Sequence, residues 1–195
     1  MDYVMTGLVT LLKSFQKCTQ VTTTDTEPCK TKDIWKWEQK YGVVMPQDMT
    51  EFYLAADGLK FRWNYQYSID EARPVGMINI PRLADMIYIN TSKSKSFLIQ
   101  NLDNMALVCL VYKRKQPLTP KIYIFEIGTL KWRTIANSFT QYMQFSIAYL
   151  GLPYWQLKDP GYDQQGLEEF WIQLIRRNAR NRAIFRKWGI RLTPI

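Results

Sequence analysis

Histidine is missing from this chain altogether. Without an imidazole there is no neutral-pH base of the usual kind and no His metal ligand, so Ser-His-Asp and Cys-His hydrolysis are excluded. Cysteine is scarce: Cys18, Cys29 and Cys109 share no two-residue spacing of a zinc site and make no disulfide framework. Reduced thiols inside a cell are expected, with Cys109 in the core. The nine glycines are scattered and none falls into a phosphate-binding fingerprint, which argues against nucleotide-dependent ligation in this chain. Long apolar runs are lacking too. Met105 to Tyr112 is the longest, far short of the roughly 18–20 residues of a membrane span. Asp2 stands where a secretory leader would carry positive charge, so a cytosolic or cytoskeletal chain without a membrane partner is expected. Carboxylates neighbour each other at Asp70–Glu71 and Glu168–Glu169, but adjacent residues in a helix or turn point apart and make a poor catalytic pair. The chain is therefore read as having no catalytic residue, cofactor or metal.

Aromatic residues and unevenly placed positive charge are what it does have. With 195 residues, 47% of them hydrophobic and 14% aromatic, one core-bearing domain with an appendage is expected. The net charge is +9. From Ile172 onward the chain carries Arg176, Arg177, Arg180, Arg182, Arg186, Lys187 and Arg191 with no acidic residue, which leaves 9 − 7 = +2 for everything before.

The stretch Tyr41 to Tyr67 organises the rest. Pro46 suits a first helical turn, and Met49, Phe52, Tyr53 and Ala56 then recur at helical spacing. Gly58 is expected to stop that helix. Phe61, Trp63, Tyr65 and Tyr67 alternate strictly, which predicts a strand with all four rings on a core face and Arg62, Asn64 and Gln66 on the other. Around this unit, periodicity predicts helices over about 3–17, over 33–41 with Asp33 as cap, and over 139–150 capped by Asn137 or Ser138. A short helix is expected near Leu83, Met86 and Ile87. Strands are expected at 21–24, 75–80, 97–101, 106–113 and 121–127, the last two forming the sheet's centre, with Trp132 returning to the core and Asn90–Ser96 as a polar loop.

A Pro-led helix bearing Phe52-Tyr53, ended by Asp57-Gly58 and followed by an aromatic strand, resembles the SUKH superfamily of fungal cell-wall synthesis regulators and bacterial immunity proteins. The resemblance implies an α+β domain over residues 1–150 with a central, mostly antiparallel sheet flanked by helices. Within that superfamily, Trp37–Trp63 (WEQKYGVVMPQDMTEFYLAADGLKFRW), Val108–Lys113 (VCLVYK) and Phe139–Gln156 (FTQYMQFSIAYLGLPYWQ) together resemble the second-subunit family of tubulin polyglutamylase complexes, across about residues 1–165. That likeness implies a non-catalytic, protein-binding chain whose partners are tubulin, microtubules and other complex or axonemal proteins, in the cytoskeleton, cilium or basal body. The ligase activity of such complexes is carried by a different chain. Members of that family carry a longer acidic insertion near the Asn90–Ser96 loop, so any role tied to it is not carried over.

Residues 151–165 read as a connector and 166–195 as a separate basic C-terminal helical extension. Leu167, Phe170, Trp171, Leu174 and Ile175 form an apolar stripe over its first half, and the basic residues come next, with Ile184, Phe185 and Trp188 among them. Three uses of the basic half stand: docking of an acidic protein such as tubulin, packing back on its own domain, and nucleic-acid binding, which rests on charge alone. The first is preferred, with Arg176, Arg177, Arg180, Arg182, Arg186, Lys187, Arg191 and Trp188 as candidate contact residues and no nucleic-acid partner.

Overall fold

In the computed structural model, residues 2–24, 26–103, 105–114, 119–152 and 155–157 are described. The expected aromatic strand is β2 (Leu59–Gln66), and Trp63 at its middle is fully buried. The strand lies between β1 (Cys18–Thr24) and β3 (Ala72–Ile80), pairing antiparallel with both. Opposite Trp63 sits Gly76, and a Cβ there would overlap the Trp63 indole nitrogen. The bare backbone of Gly76 leaves the space in which the indole N–H reaches the Leu150 carbonyl at 2.8 Å.

The antiparallel α+β architecture is as expected, with the strands divided between two sheets. Pro81 follows β3, and a single 3-10 turn (Leu83–Asp85) leads to β4 (Tyr88–Asn90). A proline has no N–H to extend a ladder, so a new sheet starts there. It runs in order β4, β5 (Ser94–Leu102), β6 (Ala106–Lys113), β7 (Lys121–Glu126), β8 (Lys131–Ala136). Every neighbouring pair is antiparallel. β6 is central, as its apolar run implies, and Cys109 within it is buried.

Helix α1 (Asp2–Lys13) places Leu8, Leu11 and Leu12 in the core and stops four residues short of the expected end, in turns that lead to β1. α2 (Thr31–Tyr41) buries Ile34 and Trp37, and Gly42 ends it at φ 57°. Asp33 is not its cap. The helix starts two residues earlier, after Lys30, and Asp33 lies in the first turn, where a carboxylate favours the helix dipole without capping. α3 (Gln47–Ala55) buries Met49, Phe52 and Tyr53, with Pro46 at the cap position just outside. It ends through Ala56 in an extended conformation, and Gly58, at φ 94°, instead redirects the chain where a Cβ would meet the Ile80 carbonyl at 2.8 Å. α4 (Phe139–Ala148) is capped by Ser138, whose Oγ accepts from the Gln141 N–H at 3.1 Å, while Gln141 Oε1 accepts from the Asn137 N–H at 2.6 Å. This reciprocal arrangement satisfies two donors at the helix start.

Three further differences have local causes. Asn90–Ser96 is a tight hairpin joining β4 and β5, closed by the Thr91 N–H on the Ser94 carbonyl, and Ser94–Ser96 already belong to β5, paired with β4 on one side and β6 on the other. Trp132 is 47% exposed on β8, an edge strand that Gly128 and a single ring do not announce. Of the aromatic stripe, Phe61 and Trp63 are core, Tyr65 is half-buried and Tyr67 exposed, since β2 runs past the end of the body.

Candidate protein-binding surfaces

The signature Asp57 is an internal latch. Its carboxylate, on a residue 7% exposed, accepts the Leu83 N–H at 2.7 Å through Oδ1 and the Arg82 Nε–H at 2.9 Å through Oδ2. The Cys29 thiol hydrogen-bonds to it as well. Around it the Asp57 N–H reaches the Glu27 carbonyl, the Cys29 N–H the Tyr53 carbonyl at 2.9 Å, and the Tyr53 hydroxyl the Pro81 carbonyl at 3.0 Å. Burial works to raise the Asp57 pKa, but the Leu83 N–H, the Cys29 thiol and Arg82 outweigh it and hold the carboxyl below its ordinary value. Burial, reinforced by the hydrogen bond to Asp57, pushes the Cys29 thiol up to about 12. An ionised acid with its oxygens occupied beside a protonated thiol is a clamp between α3, the loop before α2 and the end of β3. It is neither a general base nor an activated nucleophile.

Other polar groups are similarly engaged. Asp48 accepts the Met49 N–H at 2.9 Å and the Thr140 N–H at 2.8 Å, so one carboxylate serves the starts of α3 and α4. It borders an open cleft of about 440 Å³ with Pro46, Glu51, Asn137 and Ser138, where Glu51 is held by Gln47 at 3.0 Å. Glu38 accepts the Met45 N–H at 2.8 Å. Among the described residues no three His, Cys, Asp or Glu side chains gather as a metal site would require.

What the described surface does offer is aromatic and cationic. At the far end of the three-stranded sheet Tyr65 and Tyr67 meet edge to face, 5.0 Å between centroids. Lys17 lies 5.8 Å from the Tyr65 ring and Arg73 5.6 Å from that of Tyr67. Glu71 pairs with Arg73 through its Nε at 2.6 Å, and Ile69 at the hairpin tip is 95% exposed. Tyrosine and arginine presented on rigid strands are the residues that anchor protein interfaces.

A second aromatic surface lies on the five-stranded sheet. Register places Leu98, Cys109, Tyr123 and Thr134 across one row of its outer face, and Leu107, Phe125 and Trp132 across the next. Phe125 and Trp132 approach to 5.0 Å, and the Lys113 ammonium lies 5.1 Å from the Tyr123 ring. That ammonium is the chief cause of a lowered Tyr123 pKa. The described helices use the opposite face: α4 lies against β7 and β8, and the Tyr142 hydroxyl donates to Gln100 Oε1 at 2.6 Å. The unbroken apolar run from Ile122 to Phe125 along β7 could have disclosed this face, but only once β8 was recognised as its neighbour.

The residues proposed from sequence as the partner contact, Arg176, Arg177, Arg180, Arg182, Arg186, Lys187, Trp188 and Arg191, lie outside the described residues.

Two antiparallel sheets, a Pro-led α3 and a buried Asp-Gly junction leading into an aromatic strand define a SUKH-type domain. Residues 28–144 match the SMI1 / KNR4 family (SUKH-1), and the chain belongs to it. Among curated proteins it is similar to "Tubulin polyglutamylase complex subunit 2" of Rattus norvegicus, at 25% identity over 91% of this chain and 72% of that protein. The protein of the same name from Homo sapiens is 26% identical, over 87% of this chain and 68% of its own length. The rat alignment runs over 214 residues, longer than this chain, so that relative has internal residues that this one lacks.

Proposed function

We propose that this protein is a non-catalytic, protein-binding subunit of a tubulin polyglutamylase complex, contributing to docking on microtubules. The observation that carries the reading is the segregation of charge: seven basic and no acidic residues from Ile172 onward, against about +2 for the rest of the chain. The SUKH body supplies rigid aromatic surfaces for neighbouring subunits, and its buried ionisable groups are engaged in holding the fold. The basic segment supplies cations for the acidic surface of tubulin, where charge pairing speeds encounter and sets orientation. Among the described residues no helix is long and apolar enough to cross a membrane.

Co-sedimentation of the full-length chain with microtubules over a salt series tests this. The unaltered chain should pellet at low salt and be released as salt rises, and a variant with all seven basic residues changed to Gln should remain in the supernatant. Equal pelleting of the two, or binding indifferent to salt, would overturn the docking role.

A second reading is that of a structural protein resident on the microtubule doublets of the ciliary axoneme, and the short β4–β5 hairpin favours it, because the chain lacks residues that its relatives carry. Extraction separates the two: a complex subunit follows a soluble ligase, whereas a resident protein stays with salt-washed doublets.

A further inference from the structure

The outer face of the five-stranded sheet presents Leu98, Leu107, Tyr123, Phe125 and Trp132 around the buried Cys109. Half-buried rings at that density on one face want a cover, because an exposed contiguous apolar patch of this kind marks an interaction site. Where the described chain ends says what could reach it. Gln156 is buried, and its carbonyl accepts from Arg133 on β8 at 2.7 Å. Gln156 Nε2 also donates to Gln100 Oε1 at 3.2 Å, so the chain is described up to the α4 side of this sheet, beside its edge strand β8, and reaches the outer face by turning round that edge. A five-stranded sheet is about 20 Å across, and residues 158–166 when extended reach about 30 Å, enough to carry the segment from residue 167 onto the face.

That segment is amphipathic. Leu167, Phe170, Trp171, Leu174 and Ile175 recur at helical spacing, and Glu168 and Glu169 sit among them. The face itself bears Lys113 and Lys121, in the same alternation as Cys109 and Tyr123. An apolar stripe complements apolar rows, and of the two carboxylates Glu168, at the flank of the stripe at helical spacing, complements the lysines.

We propose that the outer face of the five-stranded sheet is the docking surface for this chain's own segment 167–175, which thereby anchors the basic segment 176–191 at a fixed place beside the domain. The first half of the extension is a structural layer and the second half alone is available to a partner. This rests on the reading of 166–195 as a helical extension and not on the docking role proposed above. It stands or falls without tubulin.

Hydroxyl-radical footprinting of the unaltered full-length protein, with no partner present, tests it. Trp132 and Trp35 are comparably exposed on the described body, at 47% and 57%. With the face covered, Trp132 should be oxidised several-fold more slowly than Trp35. Oxidation of the two at the same rate would overturn the proposal. Cross-linking identifies the cover. A short bismaleimide should join T134C to Q173C within one chain, and should not join M77C to Q173C, because Met77 is exposed on the other sheet. A Thr134–Gln173 cross-link found only between two chains would assign the face to a second copy and refute the assignment. Should the double-cysteine variants fail to fold, the footprint of the unaltered chain decides alone.

Discussion

Removing the Asp57 carboxylate should separate the worth of its two best-defined contacts. The Leu83 N–H is buried and donates to an ionised acceptor at 2.7 Å, an interaction worth about 1.5–3 kcal/mol, and its loss strands the donor. The Arg82 side chain is 64% exposed, so water screens that contact. Asp57→Ala should therefore cost about 2–4 kcal/mol. Asp57→Asn keeps an acceptor for Leu83 and should cost about 1 kcal/mol, and Arg82→Ala should leave the unfolding midpoint close to the parent's. Urea unfolding of the full-length chain, followed by tryptophan fluorescence, measures all three. The acid dependence supplies a check of sign. A carboxyl held below its ordinary value of 3.8 contributes stability that is present above that pH and is lost as pH falls through the lowered native value. The gap between parent and Asp57→Ala should be constant near neutrality and close below about pH 4. An Arg82→Ala variant as unstable as Asp57→Ala, or a gap that widens in acid, would refute the view of Asp57 as an anchor for a buried backbone donor.

Other positions give equally direct outcomes. Gly76→Ala must displace the Trp63 indole and break its bond to Leu150, costing about 3 kcal/mol or more in thermal unfolding, whereas Gly128→Ala, with nothing within 4 Å, should be near neutral. Burial raises the pKa of Cys18 to about 11 and of Cys29 and Cys109 to about 12, so Ellman's reagent at pH 8 should react slowly with the native protein and promptly with all three thiols in denaturant. Tyr67→Ala, at a side chain 54% exposed, should shift stability by less than about 1 kcal/mol. If the hairpin tip is an interface with another subunit, the same variant should weaken co-purification of that subunit.

Local chemistry makes much of this fold legible. The stripe Phe139, Tyr142, Met143, Ile147 is buried as its spacing requires, and Ser138 is the cap its hydroxyl suggests. The apolar run in β6 discloses a central strand, in which Ala106 and Val108 to Val111 are all buried. Partner-dependent features are hidden. The size of Trp132 suggests the core because large rings are usually buried, but its position on an edge strand decides otherwise. The break between the two sheets depends on where β3 can no longer be extended, which Pro81 marks only after the pairing is known. Asp57 stands out in sequence as part of a signature, yet its contact with Leu83, 26 residues on, leaves no periodic trace. The basic contact residues are legible only as composition, since charge says that a partner is acidic and nothing of which cation meets it.

The attachment of residue 151 to the body has a mechanical meaning. The Met77 N–H donates to the Gly151 carbonyl at 2.7 Å, and one residue earlier the Leu150 carbonyl holds the Trp63 indole. Tension applied through the C-terminal segment, as a moving polymer would apply it, meets the bond from Arg133 of β8 to the Gln156 carbonyl first and then these two bonds at the three-stranded sheet. The load passes from an edge strand to the largest fully buried side chain among the described residues. A pull on the extension is therefore felt by both sheets, and the domain should yield as one body instead of shedding its last helix.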